Sequence, residues 1–385
     1  MSGTMRFFWR PARSSGGVGM MWPGERAEPH PKQVCQVCAK RSPLVAGELG
    51  LCLACIRERP DEALRLAERA HAAARRLFDL PEGPPRAEDG RRCGLCVQDC
   101  VIGEGQRGYC GLREVREGRF RHLAGTPARG LLHWYRDGLP TNCVADPLCA
   151  GHRQLGMHNL AVFYASCTVD CLFCQNYHFR QVDPLEAEVL SAGELADLAN
   201  DRTYCVCYFG GDPASQMMHA LAAGRRLAER GVTVCWETNG TARPSLMDRA
   251  LDLALESGGC VKIDLKAHDN TLHRVLTSAN NRYTLENVAR AAARFEERLE
   301  PPPLVVSSLL VPGYVDVDEV RRIARFIAKQ NPSIPYALLG FAPHFLFPDL
   351  PRTSVRHAEE AQAAAHEAGL TTVRIGNRHL LSRAY

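Results

Sequence analysis

The sequence predicts an α/β protein: a partial parallel barrel of the (β/α)6 type, preceded by small Cys-rich metal-binding modules. Three observations carry this expectation. Short apolar, β-branched runs alternate with helix-periodic segments over the second half of the chain, as parallel strands joined by crossover helices do. The 17 cysteines fall in groups rather than singly. Polar or glycine-rich motifs follow several predicted strands, at the end where barrel active sites are built.

The chain has 385 residues, which at about 150 residues per domain suggests two or three domains. Hydrophobic residues make up 45% and charged residues 23%, enough apolar material for a large core and too much for global disorder. The net charge of +4 is small for this length and gives no argument for nucleic acid or membrane binding. The cysteines are odd in number and too dilute for a disulfide scaffold. The first thirty residues carry Arg6, Arg10, Arg13 and Arg26 and no apolar run of the secretory kind. No apolar stretch is long enough to span a membrane. A cytoplasmic location follows as the expectation, with cysteines as metal ligands or catalytic groups.

Along the chain, residues 1–32 mix Gly, Pro, Ser and Arg and read as a flexible tail, with Met20 or Met21 as alternative starts. Residues 33–59 hold Cys35, Cys38, Cys52 and Cys55, a C-x2-C pair repeated after thirteen residues. Four thiolates on two tight turns can close a tetrahedral shell, so a structural zinc is expected. In residues 60–89, Leu66, Ala70, Ala73 and Leu77 mark a helix face, and the arginines between 65 and 76 read as its solvated side. Pro81 to Pro85 end that helix. Residues 90–150 form a Cys-rich lead-in. Here Cys93, Cys96, Cys100 and Cys110 sit among glycines and suggest a metal-tied loop, for which ligand type allows zinc or an iron–sulfur cluster. Residues 151–385 are the expected barrel.

The sharpest motif is Cys167-x3-Cys171-x2-Cys174, which directly follows an apolar strand signal at 159–165. Three cysteines on one loop can ligate three irons of a [4Fe–4S] cluster and leave the fourth open for chemistry. Further strands are read at 204–209, 232–236, 261–265, 304–311, 336–341 and 372–375. Ser191 and Glu194 have the form of a capping box. Leu285, Val288, Ala292, Phe295 and Leu299 repeat at helical spacing, as do Val320, Ile323, Ala324 and Ile327. The strand ends then carry Gly210-Gly211-Asp212-Pro213, Glu237-Thr238-Asn239-Gly240, Asp264 with Lys266, and Val311-Pro312-Gly313. Each motif alone is weak. Their order downstream of the cysteine triplet is what makes them informative.

With Phe173 before the last cysteine, this arrangement resembles the radical S-adenosylmethionine (radical SAM) superfamily. Over roughly residues 90–385 it is similar to the pyruvate-formate-lyase-activating-enzyme-like group. More narrowly it resembles the radical SAM component of the AmmeMemoRadiSam system, through Cys93-x2-Cys96-x3-Cys100, Gly108-Tyr109-Cys110-Gly111-Leu112-Arg113, Cys171-Leu172-Phe173-Cys174-Gln175-Asn176 and Arg374-Ile375-Gly376-Asn377. It departs from the group at Asp212, where Glu is commoner, in the lysines lacking after Asp146-Pro147, and in the added zinc knuckle. The resemblance implies a [4Fe–4S] cluster on Cys167, Cys171 and Cys174. It implies SAM held by Phe173, Gly210, Gly211, Asp212, Glu237, Asn239, Asp264 and Lys266. The implied reaction is reductive cleavage of SAM followed by hydrogen abstraction from a small-molecule or protein substrate. An electron donor such as flavodoxin or ferredoxin is implied as a partner. A glycyl-radical-enzyme activase and a non-catalytic zinc adaptor are the competing functions.

The remaining candidates have plainer readings. Cys205, Cys207, Cys235 and Cys260 lie in or beside apolar strands and read as small buried hydrophobes. Cys143 and Cys149 are left open between ordinary thiols and ligands of a metal site or a second cluster. His178 and His344 read as structural or exposed, and Tyr164 and Tyr208 as packing residues.

Overall fold

The structure, a computed structural model, describes residues 31–141 and 143–385. Met20, Met21 and all of the expected tail except Pro31 and Lys32 lie outside the described residues. A short ribbon, β1 (Gln33–Val34) with β2 (Arg41–Ser42), leads into helices α1 (Leu53–Glu58) and α2 (Pro60–Arg76). Two more ribbons follow, β3 (Arg91–Arg92) with β4 (Val101–Ile102) and β5 (Arg113–Arg116) with β6 (Arg119–His122). The main sheet contains β7 (Leu132–Gly138), β8 (His158–Tyr164), β9 (Thr203–Phe209), β10 (Thr233–Thr238), β11 (Val261–Asp264), β12 (Leu304–Leu310), β13 (Tyr336–Gly340) and β14 (Val373–Gly376). These strands lie side by side in chain order, parallel from β8 to β14, with β7 antiparallel on the outer edge of β8.

The sequence accounts for most of this. Strand β8, HNLAVFY, is buried along almost its whole length. It lacks the polar alternation of a half-exposed strand because both of its faces are covered. The crossovers are α3 (Ala192–Asp197), α4 (Met217–Ala228), α5 (Pro244–Ser257), α6 (Asn270–Thr277), α7 (Arg282–Ala292), α8 (Val317–Gln330) and α9 (Val355–Glu367). The Ser191–Glu194 capping box forms in both directions. Helix α5 starts on Pro244 and ends at Gly258, whose positive φ suits a left-handed cap. The helix signal running from Leu285 to Leu299 stops earlier, at Ala292, and a 3-10 turn at Phe295–Glu297 takes up the remainder.

Two features differ from expectation. Strand β7 carries no apolar run, because as an edge strand it is only partly buried, so the sequence did not mark it. It belongs to the main sheet although it falls within the lead-in segment. Helix α2 turns a different face inward. Its buried residues are Ala63, Ala67, His71, Ala74 and Arg75, whereas Leu77 is 72% exposed. The arginines of α2 are therefore not one solvated face.

The reason is an ionic contact. Asp170, between two cysteines of the triplet, is fully buried. Its Oδ2 lies 2.8 Å from His71 Nδ1, and its Oδ1 lies 2.8 Å from Arg180 Nη1 and 3.8 Å from Arg75 Nη1. His71 Nε2 lies 3.0 Å from the Val275 carbonyl, so both ring nitrogens face acceptors. Arg75 also donates to the carbonyls of Pro81 and Tyr109 and stacks over the Tyr109 ring. Backbone bonds from Asp170 to Thr277 and from Leu172 to Leu276 fasten the same loop to α6.

The N-terminal knuckle docks on the loop after β12. Tyr314 is completely buried there, donating its hydroxyl to the Leu51 carbonyl and accepting from the Ala46 amide, both at 2.9 Å. Arg57 makes a paired contact with Asp316, two bonds of 2.9 Å. A single apolar core runs from Ala46 in the knuckle to Ile375 in β14. Removing the charge of Asp170 leaves cations buried without a partner. Asp170→Asn should therefore lower unfolding stability by about 3–5 kcal/mol, read as a lower denaturant midpoint at constant slope.

Candidate active site

Strand β8 ends at Tyr164 and releases the chain into the loop that bears Cys167, Cys171 and Cys174. The C-terminal ends of β9 to β14 converge on the same place. A cavity of about 340 Å³ is lined by the three cysteines, Phe173, Gly210, Gly211, Asp212, Glu237, Asn239, Asp264, Lys266 and, from the end of the sheet, Asn377. All eleven triplet and SAM-site positions singled out from the sequence thus meet in one space. A wider groove of about 580 Å³ approaches Cys167 from the side of α2 and the lead-in, past Leu80, Cys110 and Phe179.

Backbone conformation explains the glycines. Gly210 and Gly211 both have positive φ. A Cβ on Gly211 would lie 1.8 Å from the Tyr164 carbonyl oxygen, so the β9 turn can lie against the triplet loop only without a side chain. Asp212 follows and is nearly fully buried. Its carboxylate accepts from the Ala214 amide at 2.7 Å, the Asn239 amide at 2.6 Å and the Thr238 hydroxyl at 3.0 Å. Burial pushes this carboxyl up to about 6, although those three donors oppose the shift. Asp212 therefore ties the end of β9 to the end of β10 as well as forming cavity wall.

Asn239 joins that wall to the triplet. Its Nδ2 donates to Thr168 Oγ1 at 3.1 Å and points at Cys167 Sγ at 3.6 Å. Its Oδ1 accepts from the Thr241 amide at 3.0 Å. Deeper in the barrel, Lys262 is buried, with Nζ 2.5 Å from Glu237 Oε2 and 3.6 Å from Asp264 Oδ1. Lys266 Nζ lies 3.1 Å from Asp264 Oδ2, and Ser307 donates to Asp264 Oδ1. Burial alone would raise the Asp264 carboxyl, but Lys262 and Lys266 hold it well below the usual carboxylate range. The same carboxylate and Glu237 keep Lys262 protonated against the cost of burial. Lys262 is a member of this cluster of alternating charges that the sequence motifs did not single out. Arg180 is another. It lies buried beside the triplet over the Phe345 ring, and Asp170 and the three thiols favour its charge despite burial.

Burial pushes the thiols of Cys167, Cys171 and Cys174 upward, Cys171 to about 12. A thiol in such a site becomes a thiolate through binding a cation. His178 and His344 do not line the cavity; His178 stacks on Tyr177, and His344 bonds the Ala342 carbonyl. Tyr164 and Tyr208 stack on one another in the core. Val311-Pro312-Gly313 also lies away from the cavity lining. A Cβ on Gly313 would sit 2.1 Å from the Leu44 carbonyl oxygen, so this turn serves as the seat of the knuckle.

The other two cysteine sets also assemble. The sulfurs of Cys35, Cys38, Cys52 and Cys55 all lie within 4.8 Å of one another. Burial opposes ionisation, but the amides of Cys38, Cys52 and Val37 bring the Cys35 thiol down to about 6. Burial and the neighbouring thiols push Cys55 up, the repulsion that a divalent cation relieves. Cys93, Cys96, Cys100 and Cys110 line one pocket against Thr168 and Ser215, directly behind the triplet loop. The Tyr109 amide donates to Cys100 Sγ at 3.4 Å, and Arg113 Nη1 lies 3.5 Å from Cys110 Sγ.

Among the described residues no helix is long and apolar enough to cross a membrane. Residues 161–327 match the family model of the Radical SAM superfamily. An uncharacterized protein of Methanocaldococcus jannaschii is 27% identical over 305 residues, covering 74% of this chain and 81% of its own length. A second protein of that organism, provisionally named a glycyl-radical enzyme activating enzyme, is 26% identical over 55% of this chain and 79% of its own length. The pyruvate formate-lyase 1-activating enzyme of Escherichia coli is 25% identical over 46% of this chain and 74% of its own length. The chain carries a radical SAM domain, with homologues of the pyruvate-formate-lyase-activating-enzyme-like kind, and it is an enzyme.

Proposed function

We propose that this enzyme cleaves S-adenosylmethionine reductively in the cavity at the strand ends and abstracts hydrogen from a substrate bound there. The observation that carries the reading is one shared space, lined by three thiols of one loop and by the ends of three successive strands. The donor set suits the cluster that a radical SAM domain implies: three sulfurs on one loop, buried or half-buried, with room left beside them and charged groups across from them. Cys167, Cys171 and Cys174 would hold the [4Fe–4S] cluster. When bound and reduced, it supplies the electron that splits SAM into methionine and a hydrogen-abstracting 5′-deoxyadenosyl radical.

The remaining work falls to the chain. Gly210 and Gly211 let a ligand approach the backbone closely. Asp212 offers an acceptor to the SAM ammonium. Asp264 and Lys266 present opposite charges to the other side of the ligand, with Glu237 and Asn239 as wall and Phe173 packed behind. Fixed charges of this kind orient a ligand without having to reorganise. The substrate is a small molecule or a protein residue, and the electron donor is of the flavodoxin or ferredoxin class. The narrower likeness to the AmmeMemoRadiSam component, through Tyr109-Cys110-Gly111 and Gly376-Asn377, favours an acceptor other than a glycyl radical enzyme. So do the knuckle and lead-in, which lie before the residues matched by the radical SAM family model. A glycyl radical enzyme that gains its radical on incubation with this chain, SAM and reductant would reverse that preference. We further propose zinc at Cys35, Cys38, Cys52 and Cys55, and a structural metal at Cys93, Cys96, Cys100 and Cys110.

Three outcomes are expected. Cys171→Ala should abolish both the visible absorbance of the triplet cluster and 5′-deoxyadenosine formation in anaerobically reconstituted protein; SAM cleavage persisting in that variant would sink the assignment. SAM affinity should fall as pH drops through about 6, because the Asp212 carboxyl then takes up the proton that removes its charge. Asp212→Asn should flatten that profile and weaken binding about tenfold or more, the scale of a hydrogen bond to a charged group. Equilibrium dialysis under nitrogen measures both. Metal analysis should give about one zinc per chain at the knuckle, lost in Cys52→Ala together with a lower melting temperature.

A further inference from the structure

Six thiols that the reaction above does not use converge at the opposite end of the barrel. Cys205 and Cys207 lie on β9, Cys235 on β10, and Cys260 one residue before β11. Strand register sets Cys207 beside Cys235. Since Trp236 faces Val261 across the next pair, Cys235 and Cys260 are neighbours too. Cys143 and Cys149 come from the loop joining β7 to β8. That loop leaves at Gly138 and returns at His158, which are register partners, so it closes the N-terminal mouth of the parallel strands. All six cysteines line one small pocket. Glu237 and Lys262 line both this pocket and the upper cavity, so the two stand back to back.

Ordinary packing explains this floor poorly. Barrel interiors are filled by branched side chains such as Val, Ile and Leu. Here three adjacent strands each place the small Cys at neighbouring positions, and the plugging loop adds two more. The lining also includes Asn159, Glu237 and Lys262, which an apolar filler does not need. Cys143 donates to Glu237 Oε1 at 3.1 Å, and Cys207 points at the same oxygen at 3.7 Å. Soft thiolate donors in this number suit zinc, copper(I) or an iron–sulfur cluster. Spacing separates these. A single tetrahedral ion gathers sulfurs tightly, as at Cys35–Cys55, and among the described residues that is the only such tight set. The floor thiols are spread more widely, as are Cys167, Cys171 and Cys174. Ligands of a cluster stand apart in this way because each binds a different iron.

We propose that the barrel floor holds a second iron–sulfur cluster, with Cys143 and Cys149 closing over it from the loop and Cys207, Cys235 and Cys260 offering ligands from the strands. It is separate from the cluster at the triplet and does not rest on the chemistry proposed there.

The test uses the full chain, reconstituted anaerobically with iron and sulfide. In a Cys167→Ala/Cys171→Ala/Cys174→Ala background, adding Cys143→Ser/Cys149→Ser should remove about four irons and four sulfides per chain. In the otherwise unaltered chain, the same loop pair should remove an equal amount and leave the SAM-sensitive paramagnetic signal of the triplet in place. Circular dichroism checks that each variant folds. The single variants Cys143→Ser and Cys149→Ser, each a milder change in the same loop, provide the same reading should the pair unfold. Unchanged iron and sulfide in the folded loop variants overturns the proposal, as does zinc in place of iron at the floor. Failure of the triplet assignment reads differently, as iron unchanged by the triplet substitutions.

Discussion

A carboxylate buried among thiols is unstable alone, and Asp170 governs how this molecule is put together. It stands inside the cysteine triplet, where the chain needs a fixed loop, and is surrounded by His71, Arg75 and Arg180. Isolated charges in a low-dielectric interior are costly, so each of these groups commits the others to place. The contact draws α2 against the loop and turns its polar residues inward. Arg75 then holds the lead-in through the Tyr109 carbonyl. One carboxylate thus connects the N-terminal helix, the Cys-rich lead-in and the barrel.

The barrel was largely legible in the sequence, since its seven parallel strands are buried and appear as apolar runs with the expected ends. So was the meeting of Cys167, Gly210, Asp212, Asn239, Asp264 and Lys266, because strand ends in a parallel sheet share one rim. What stayed hidden depends on partners distant in sequence. Nothing local distinguishes Arg75 from the exposed arginines beside it. Nothing in β7 marks an edge strand. Lys262 was not singled out, because only the fold brings Glu237 and Asp264 around it. The strand cysteines read singly as small hydrophobes; only sheet register and the return of the β7–β8 loop put them together.

Asp212 combines a structural task with a place in the cavity wall. Its carboxylate replaces backbone partners at the ends of two strands, which keeps the rim closed before any ligand arrives. The shorter side chain suits that task, because it reaches the amides of Ala214 and Asn239 from within its own turn.

The seat of the knuckle on Gly313 has a thermodynamic consequence. The turn after β12 and the Leu44 carbonyl approach so closely that no side chain fits between them, and Tyr314 bonds across the junction at both Ala46 and Leu51. An ion taken up by Cys35, Cys38, Cys52 and Cys55 binds the folded knuckle better than the unfolded chain. By mass action it then stabilises everything that unfolds with the knuckle. Since the two share a continuous core, metal binding at the knuckle as proposed would make the free metal concentration set how firmly the distant barrel rim is held.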